Sequence, residues 1–255
     1  METVRVEPDP EILGLVTITL SRPDKLNAIN ATMHQELQEA CAALKDDATA
    51  RVVILTGEGR AFSAGADLGP RREVDGPPPP PPPGRPVLEQ RNLFSAGNRT
   101  CAALDSLDQV TIGAVNGLAI GGAVVFLSCM DIRLAAESAW FSIPEVDLDI
   151  PLTWNALPRL MRELGPARTR ELVMTCDRFT AADALRWGFV NHVYPDADLM
   201  PRARELAAKL LAKDPLSLAL TKSATAALAE AMVPTNVTYT DRELLMLANA
   251  LRGRR

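Results

Sequence analysis

Apolar and polar positions alternate with a period of two over residues 2–7 and 12–20, and a Pro-Asp-Pro-Glu turn separates the two runs. A period of two sends successive side chains to opposite faces of a strand, so the N-terminal segment is predicted to be a hairpin. The period then lengthens. Met33, Leu37, Ala40, Cys41 and Leu44 recur at three- and four-residue spacing, which predicts a helix over residues 31–45 with Asn30 as its N-cap. Two β-branched runs, residues 51–56 and 110–115, read as strands, and strand–helix–strand order indicates an α/β fold. Residues 87–107 and 124–130 read as helical, the second as a buried helix. Residues 131–136 and 139–142 read as short strands around a Glu137-Ser138 turn. Beyond residue 154 the pattern is mostly helical: 154–164, 167–175, 181–187, 197–212, 216–232 and 240–251. Gly165-Pro166, Asp214-Pro215 and Val233-Pro234 act as stop signals, and 189–194 is a late extended segment.

The two β-branched runs lead into glycine-bearing turns. The first is Ala61-Phe62-Ser63-Ala64-Gly65-Ala66-Asp67-Leu68; the second is Asn116-Gly117-Leu118-Ala119-Ile120-Gly121-Gly122-Ala123. Small residues let backbone N–H groups approach a ligand. The second turn opens a helix, whose first N–H groups are unpaired and lie at the positive end of its dipole. Two such donors aimed at one point would form an oxyanion hole for charge developing on a carbonyl oxygen.

Composition narrows the field. The chain has 255 residues, is 47% hydrophobic and 23% charged, and carries a net charge of −5. That is the balance of a soluble globular protein, and its scattered basic residues argue against nucleic-acid binding. No run of eighteen apolar residues and no signal or transit pattern is visible, so no membrane span and a cytoplasmic location are expected. Cys41, Cys101, Cys129 and Cys176 are widely spaced and read as reduced core thiols. With two histidines and no Cys-x-x-Cys pair, no metal site is expected.

One segment stands apart. Seven consecutive prolines, Pro77 through Pro83, lie in an insertion at about 70–86. Proline suits neither helix nor central strand, so this reads as a solvated polyproline spacer, with docking to a proline-binding domain as the sharper alternative.

Together, Phe-Ser-Ala-Gly-Ala-Asp-Leu, Asn-Gly-x-Ala-x-Gly-Gly, Cys129-Met130-Asp131-Ile132-Arg133, Phe141-Ser142-Ile143-Pro144-Glu145 and Arg22-Pro23-Asp24-Lys25-Leu26-Asn27-Ala28 resemble the crotonase (enoyl-CoA hydratase/isomerase) superfamily. The resemblance resumes at Thr180-Ala181-Ala182-Asp183-Ala184-Leu185 and covers nearly the whole chain apart from the proline insertion. It implies a crotonase (ClpP-like) α/β fold of repeated β-β-α units over residues 1–195, with a C-terminal helical region at 196–255 that packs homotrimers or dimers of trimers. It implies an acyl-CoA substrate, with coenzyme A as part of the thioester and no tightly bound cofactor. The implied oxyanion donors are the N–H groups of Ala66 and Gly122, and the implied catalytic acid is Glu145. The implied coenzyme A segment comprises Lys25, Ala28, Ala64, Ala66, Asp67 and Leu68, with Gly122 at the thioester. Asp67 is expected to fix its own turn through local hydrogen bonds. Lys222 and Arg242 are weaker candidates for coenzyme A phosphates, solvation being the simpler role for either.

The chain also departs from the pattern. Hydratases of the superfamily carry a second glutamate three residues after the oxyanion glycine; here that position is Val125. Hydration divides its work between two carboxylates, whereas a Δ3,Δ2 double-bond shift needs one group to move a proton from C2 to C4. Dienoyl isomerases use further aspartates where this chain has Val125 and Thr153. Ala123 replaces a third glycine, and Asp149 stands where glycine is usual; Asp149 is either a turn residue or a substitute second acid. Trp154 either lines the acyl pocket or packs a helix. The favoured expectation is enoyl-CoA isomerisation with Glu145 as proton shuttle. The alternatives are 2-enoyl-CoA hydration using Glu145, with or without Asp149, and a non-catalytic acyl-CoA-binding scaffold.

Overall fold

In the computed structural model, which describes residues 1–69, 86–238 and 240–252, the chain opens with an antiparallel pair, β1 (Val4–Pro8) and β2 (Leu15–Leu20), registered Val4 to Leu20. Helix α1 (Ala31–Asp46) follows, and the Asn30 side chain accepts the Met33 N–H at 2.9 Å, as an N-cap should. Strand β3 (Val52–Gly57) has all six residues buried, which explains its unbroken apolar run: a parallel strand covered on both faces has no polar side to display.

From there the chain repeats one device. Strand β3 is followed by β4 (Ala61–Ser63), then by helices α2 (Val87–Phe94) and α3 (Ala96–Asp105). Strand β5 (Val110–Val115) is followed by β6 (Leu118–Ile120) and helix α4 (Gly122–Leu127). Strand β7 (Ile132–Ala136) is followed by β8 (Trp140–Ser142) and helix α5 (Ala156–Thr175). The first strand of each unit joins one sheet and the second joins another. After β9 (Phe179–Thr180), α6 (Ala181–Arg186) and β10 (His192–Tyr194), the sheets are complete. The larger has the order β1-β2-β3-β5-β7-β10 and the smaller β4-β6-β8-β9. This is the expected crotonase fold of repeated β-β-α units. Residues 131–142 therefore supply two strands to different sheets, with β7 pairing β5 and β10 while β8 pairs β6 and β9.

Three helices close the chain: α7 (Leu199–Leu211), α8 (Pro215–Met232) and α9 (Asp241–Arg252). Helix α7 lies against the large sheet and buries Leu199, Ala203 and Ala207, so the helical region after residue 196 begins inside the core. Helix α8 differs sharply. It buries no residue, and Leu216, Leu220, Leu228 and Met232 are all more than 60% exposed. Among the described residues no single helix is long and apolar enough to cross a membrane. All four cysteines are free and buried. The proline run at 77–83 lies outside the described residues.

Candidate active site

The two glycine turns meet. Strands β4 and β6 are parallel neighbours in the small sheet, so the turns that follow them emerge side by side. Gly65 has φ +80°, and a Cβ there would stand 2.4 Å from the Ile120 carbonyl oxygen and 3.4 Å from the Gly122 nitrogen. Any side chain would push the turns apart. On the outer side, the first turn is tied down by Ile29 donating to the Gly65 carbonyl, Asp67 donating to Ile29 and Ala64 donating to Leu26. These bonds leave the Ala66 N–H without a partner among the described residues. The Gly122 N–H, at the first position of α4, is likewise unpaired among them.

The anchoring loop owes its shape to Asn27. Leu26 and Asn27 are both left-handed, with φ of 50° and 56°. The fully buried Asn27 side chain accepts from the Arg22 N–H and donates to the carbonyls of Glu58 and Ala61. Arg22 in turn donates to the Ala28 carbonyl and pairs with Asp67 at 2.9 Å. Asp67 also accepts from Gly69, and these bonds hold its carboxyl below the usual range. Asp67 thus fixes its turn, with Arg22 as a partner the local sequence did not reveal. Lys25 is exposed at the end of a short 3₁₀ turn, Ala64 is half-buried, and Leu68 is exposed.

Beside the two donors lies a cavity of about 370 Å³, lined by Ala66, Gly122, Val125, Glu145, Leu148, Ile150, Thr153 and Trp154 among others. Glu145 follows β8 and starts a 3₁₀ turn, Val146–Leu148. Its Oε1 packs against Gly121, where a Cβ would come within 2.6 Å. Its Oε2 is buried and has no hydrogen-bond partner among the described residues. The residue as a whole keeps some surface, but this carboxyl oxygen is buried. Burial disfavours the anion and pushes the pKa up to about 7, with its own backbone N–H opposing weakly. Val125, three residues past Gly122, is buried and faces the same cavity, as the helical spacing requires. Glu145 is the one titratable side chain among the described lining residues.

Other candidates lie elsewhere. Asp149 is exposed, in a left-handed cap whose N–H bonds to Val146, while its neighbours Leu148 and Ile150 line the cavity. Asp149 itself is not among the described residues that line the cavity. Lys222 is half-buried and not free: it pairs with Asp131 at 2.7 Å and donates to the Gln109 carbonyl. Arg242 is buried and pairs with Glu243. Both cations are spent inside the described chain.

A turn that the periodicity could not reveal completes the cavity. Trp154 and Asn155 are consecutive left-handed residues, with φ of 65° and 54°. Asp241, from α9, accepts the Asn155 N–H at 2.6 Å and the Asn98 amide at 3.2 Å. Arg159 donates to the carbonyls of both Trp154 and Asn155 and pairs with Asp105. A strained turn persists only when its surroundings over-determine it in this way.

Repeated β-β-α units that set two unpaired N–H groups beside a buried carboxyl define the crotonase class of acyl-thioester enzymes. The family model described as enoyl-CoA hydratase/isomerase matches residues 12–250, and the chain belongs to that family, whose members act on coenzyme A thioesters. It is 38% identical over 210 residues to carnitinyl-CoA dehydratase of Escherichia coli K12, covering 82% of this chain and 76% of that one. Among solved structures it resembles an enoyl-CoA hydratase from Bacillus anthracis, with TM-score 0.78, 31% identity, and 100% and 97% of the two chains covered. It also resembles a monofunctional enoyl-CoA isomerase from M. smegmatis, with TM-score 0.74, 28% identity, and 90% and 95% covered.

Proposed function

We propose that the protein catalyses a Δ3,Δ2 double-bond shift in an enoyl-CoA. The thioester carbonyl rests against the Ala66 and Gly122 N–H groups, which stabilise the dienolate as charge moves onto oxygen. Glu145, ionised, takes a proton from C2; protonated, it returns that proton at C4. Each half of the cycle needs the opposite form of one group, and a pKa near 7 makes both forms accessible at neutral pH. The observation that carries this reading is the lone carboxylate among the described lining residues: where a second acid would face the substrate, the cavity presents the buried side chain of Val125. Following products from 3-enoyl-CoA and 2-enoyl-CoA tests it directly.

A second reading, hydration of 2-enoyl-CoA through Glu145 alone, is supported by the full-length match to the B. anthracis hydratase. Water would then have to be positioned by one carboxylate and the oxyanion-bound substrate. The coenzyme A moiety would run along Lys25, Ala28, Ala64 and Leu68, the loop that Asn27 and Arg22 organise. The exposed leucines of α8 support assembly into a homotrimer or a dimer of trimers, since a helix that buries nothing of its own needs a partner surface.

A further inference from the structure

Trp154 stands between the reaction cavity and a second cavity of about 620 Å³ that opens between α1, α2 and α3. Both cavities are bordered by Ala66, Phe94, Trp154 and Leu245. The indole is wedged between two glycines: a Cβ on Gly97 or on Gly122 would come within 2.1 Å of the ring. The ring stacks on Phe126 with centroids 5.5 Å apart and meets His34 edge-on at 5.0 Å. His34 is buried and kept neutral, its pKa lowered to about 4 mainly by desolvation, so it presents no charge to the ring. The Trp154 backbone is fixed in its left-handed turn by Arg159 and, through Asn155, by Asp241. A bulky side chain held at a strained turn, against two glycines and with a cavity on each side, does more than fill core.

We propose that Trp154 closes the acyl end of the reaction cavity and sets the upper limit on acyl size; the second cavity is the space a longer chain enters once the indole is removed. That cavity has Gly97 against the ring and further apolar lining from Phe94, Ala96 and the exposed Leu93, which suit an alkyl chain, with the exposed Gln35 and Arg99 as part of its polar lining. The proposal rests on the reading that an acyl thioester docks at Ala66 and Gly122. It does not depend on which reaction follows.

The test is the dissociation constant of straight-chain saturated acyl-CoAs, four to twelve carbons long, with free coenzyme A as reference. Wild type is compared with Trp154→Ala and Trp154→Phe. Each methylene buried should tighten binding about fourfold. In the wild type this gain should stop at a short chain length; in Trp154→Ala it should continue for several more carbons, with Trp154→Phe between. An unchanged stopping length in the variants overturns the proposal. So does an equal shift in affinity for free coenzyme A and every acyl-CoA, which would put the pantetheine arm in the second cavity. If the alanine variant fails to fold, the phenylalanine variant decides, because it keeps an aromatic ring against Phe126. Turnover of enoyl substrates is read separately, so a failed isomerase reading leaves the chain-length result standing, and the reverse.

Discussion

At neutral pH the Glu145 carboxyl is divided between its two forms, because burial raises its pKa to about 7. With the anion starting the reaction, kcat/KM for a 3-enoyl-CoA should rise as pH increases through about 7 and then level off. Glu145→Gln should lower turnover by roughly 10²- to 10⁴-fold and abolish that inflection. The same shift has a stability consequence of definite sign. The folded state holds the Glu145 proton to higher pH than the unfolded chain, so stability is lost as pH rises from about 4.5 to 7. Glu145→Gln should therefore melt higher than wild type at pH 8, the difference vanishing near pH 4. The gathering of Glu145, Ala66, Gly122 and Val125 around one cavity was legible in the sequence, since they sit in short motifs where spacing fixes direction. Asp149, Lys222 and Arg242 were not, because exposure and ion pairing depend on elements far away along the chain. Asn27 likewise joins the Arg22 segment to the β3–β4 turn through bonds spanning more than thirty residues.

Among the elements, the turn ahead of α5 depends most on distant support. Asp241 reaches it from α9, and its carboxyl pKa is raised chiefly by desolvation. Asp241→Ala would leave the Asn155 N–H and Asn98 amide without this acceptor, at a cost of about 1–3 kcal/mol. A thermal or denaturant melt should register that loss, and an acyl-CoA binding series should show a blurred chain-length limit as Trp154 loosens. A second left-handed residue in succession has no sequence signature when the residues are Trp and Asn, so periodicity extended the helix back to 154 where it begins at Ala156. Longer elements were legible: α1, β3, β5 and α8 lie within a residue or two of their predicted bounds. Strands β4, β6 and β9 span only two or three residues, too few for any period to declare itself, and their pairing follows from the sheet as a whole.

For the whole molecule, the split of each β-β-α unit between two sheets makes the site possible. It delivers the turns after β4 and β6 to one place from segments more than fifty residues apart in sequence. Helix α8 stands outside this architecture, with four large apolar side chains in solvent. On the proposal that α8 carries an assembly interface, wild type should sediment as an oligomer and Leu220→Glu combined with Leu228→Glu as a monomer in analytical ultracentrifugation, with far-UV circular dichroism unchanged; a variant that sediments like wild type would contradict that proposal. The one-carboxylate reading itself is tested most directly by product analysis. Purified protein is given 3-enoyl-CoA and, separately, 2-enoyl-CoA. The predicted result is rapid conversion of the 3-enoyl to the 2-enoyl thioester, lost in Glu145→Gln, with little 3-hydroxyacyl-CoA formed from either substrate. Rapid hydration of 2-enoyl-CoA with no isomerisation of 3-enoyl-CoA would contradict it.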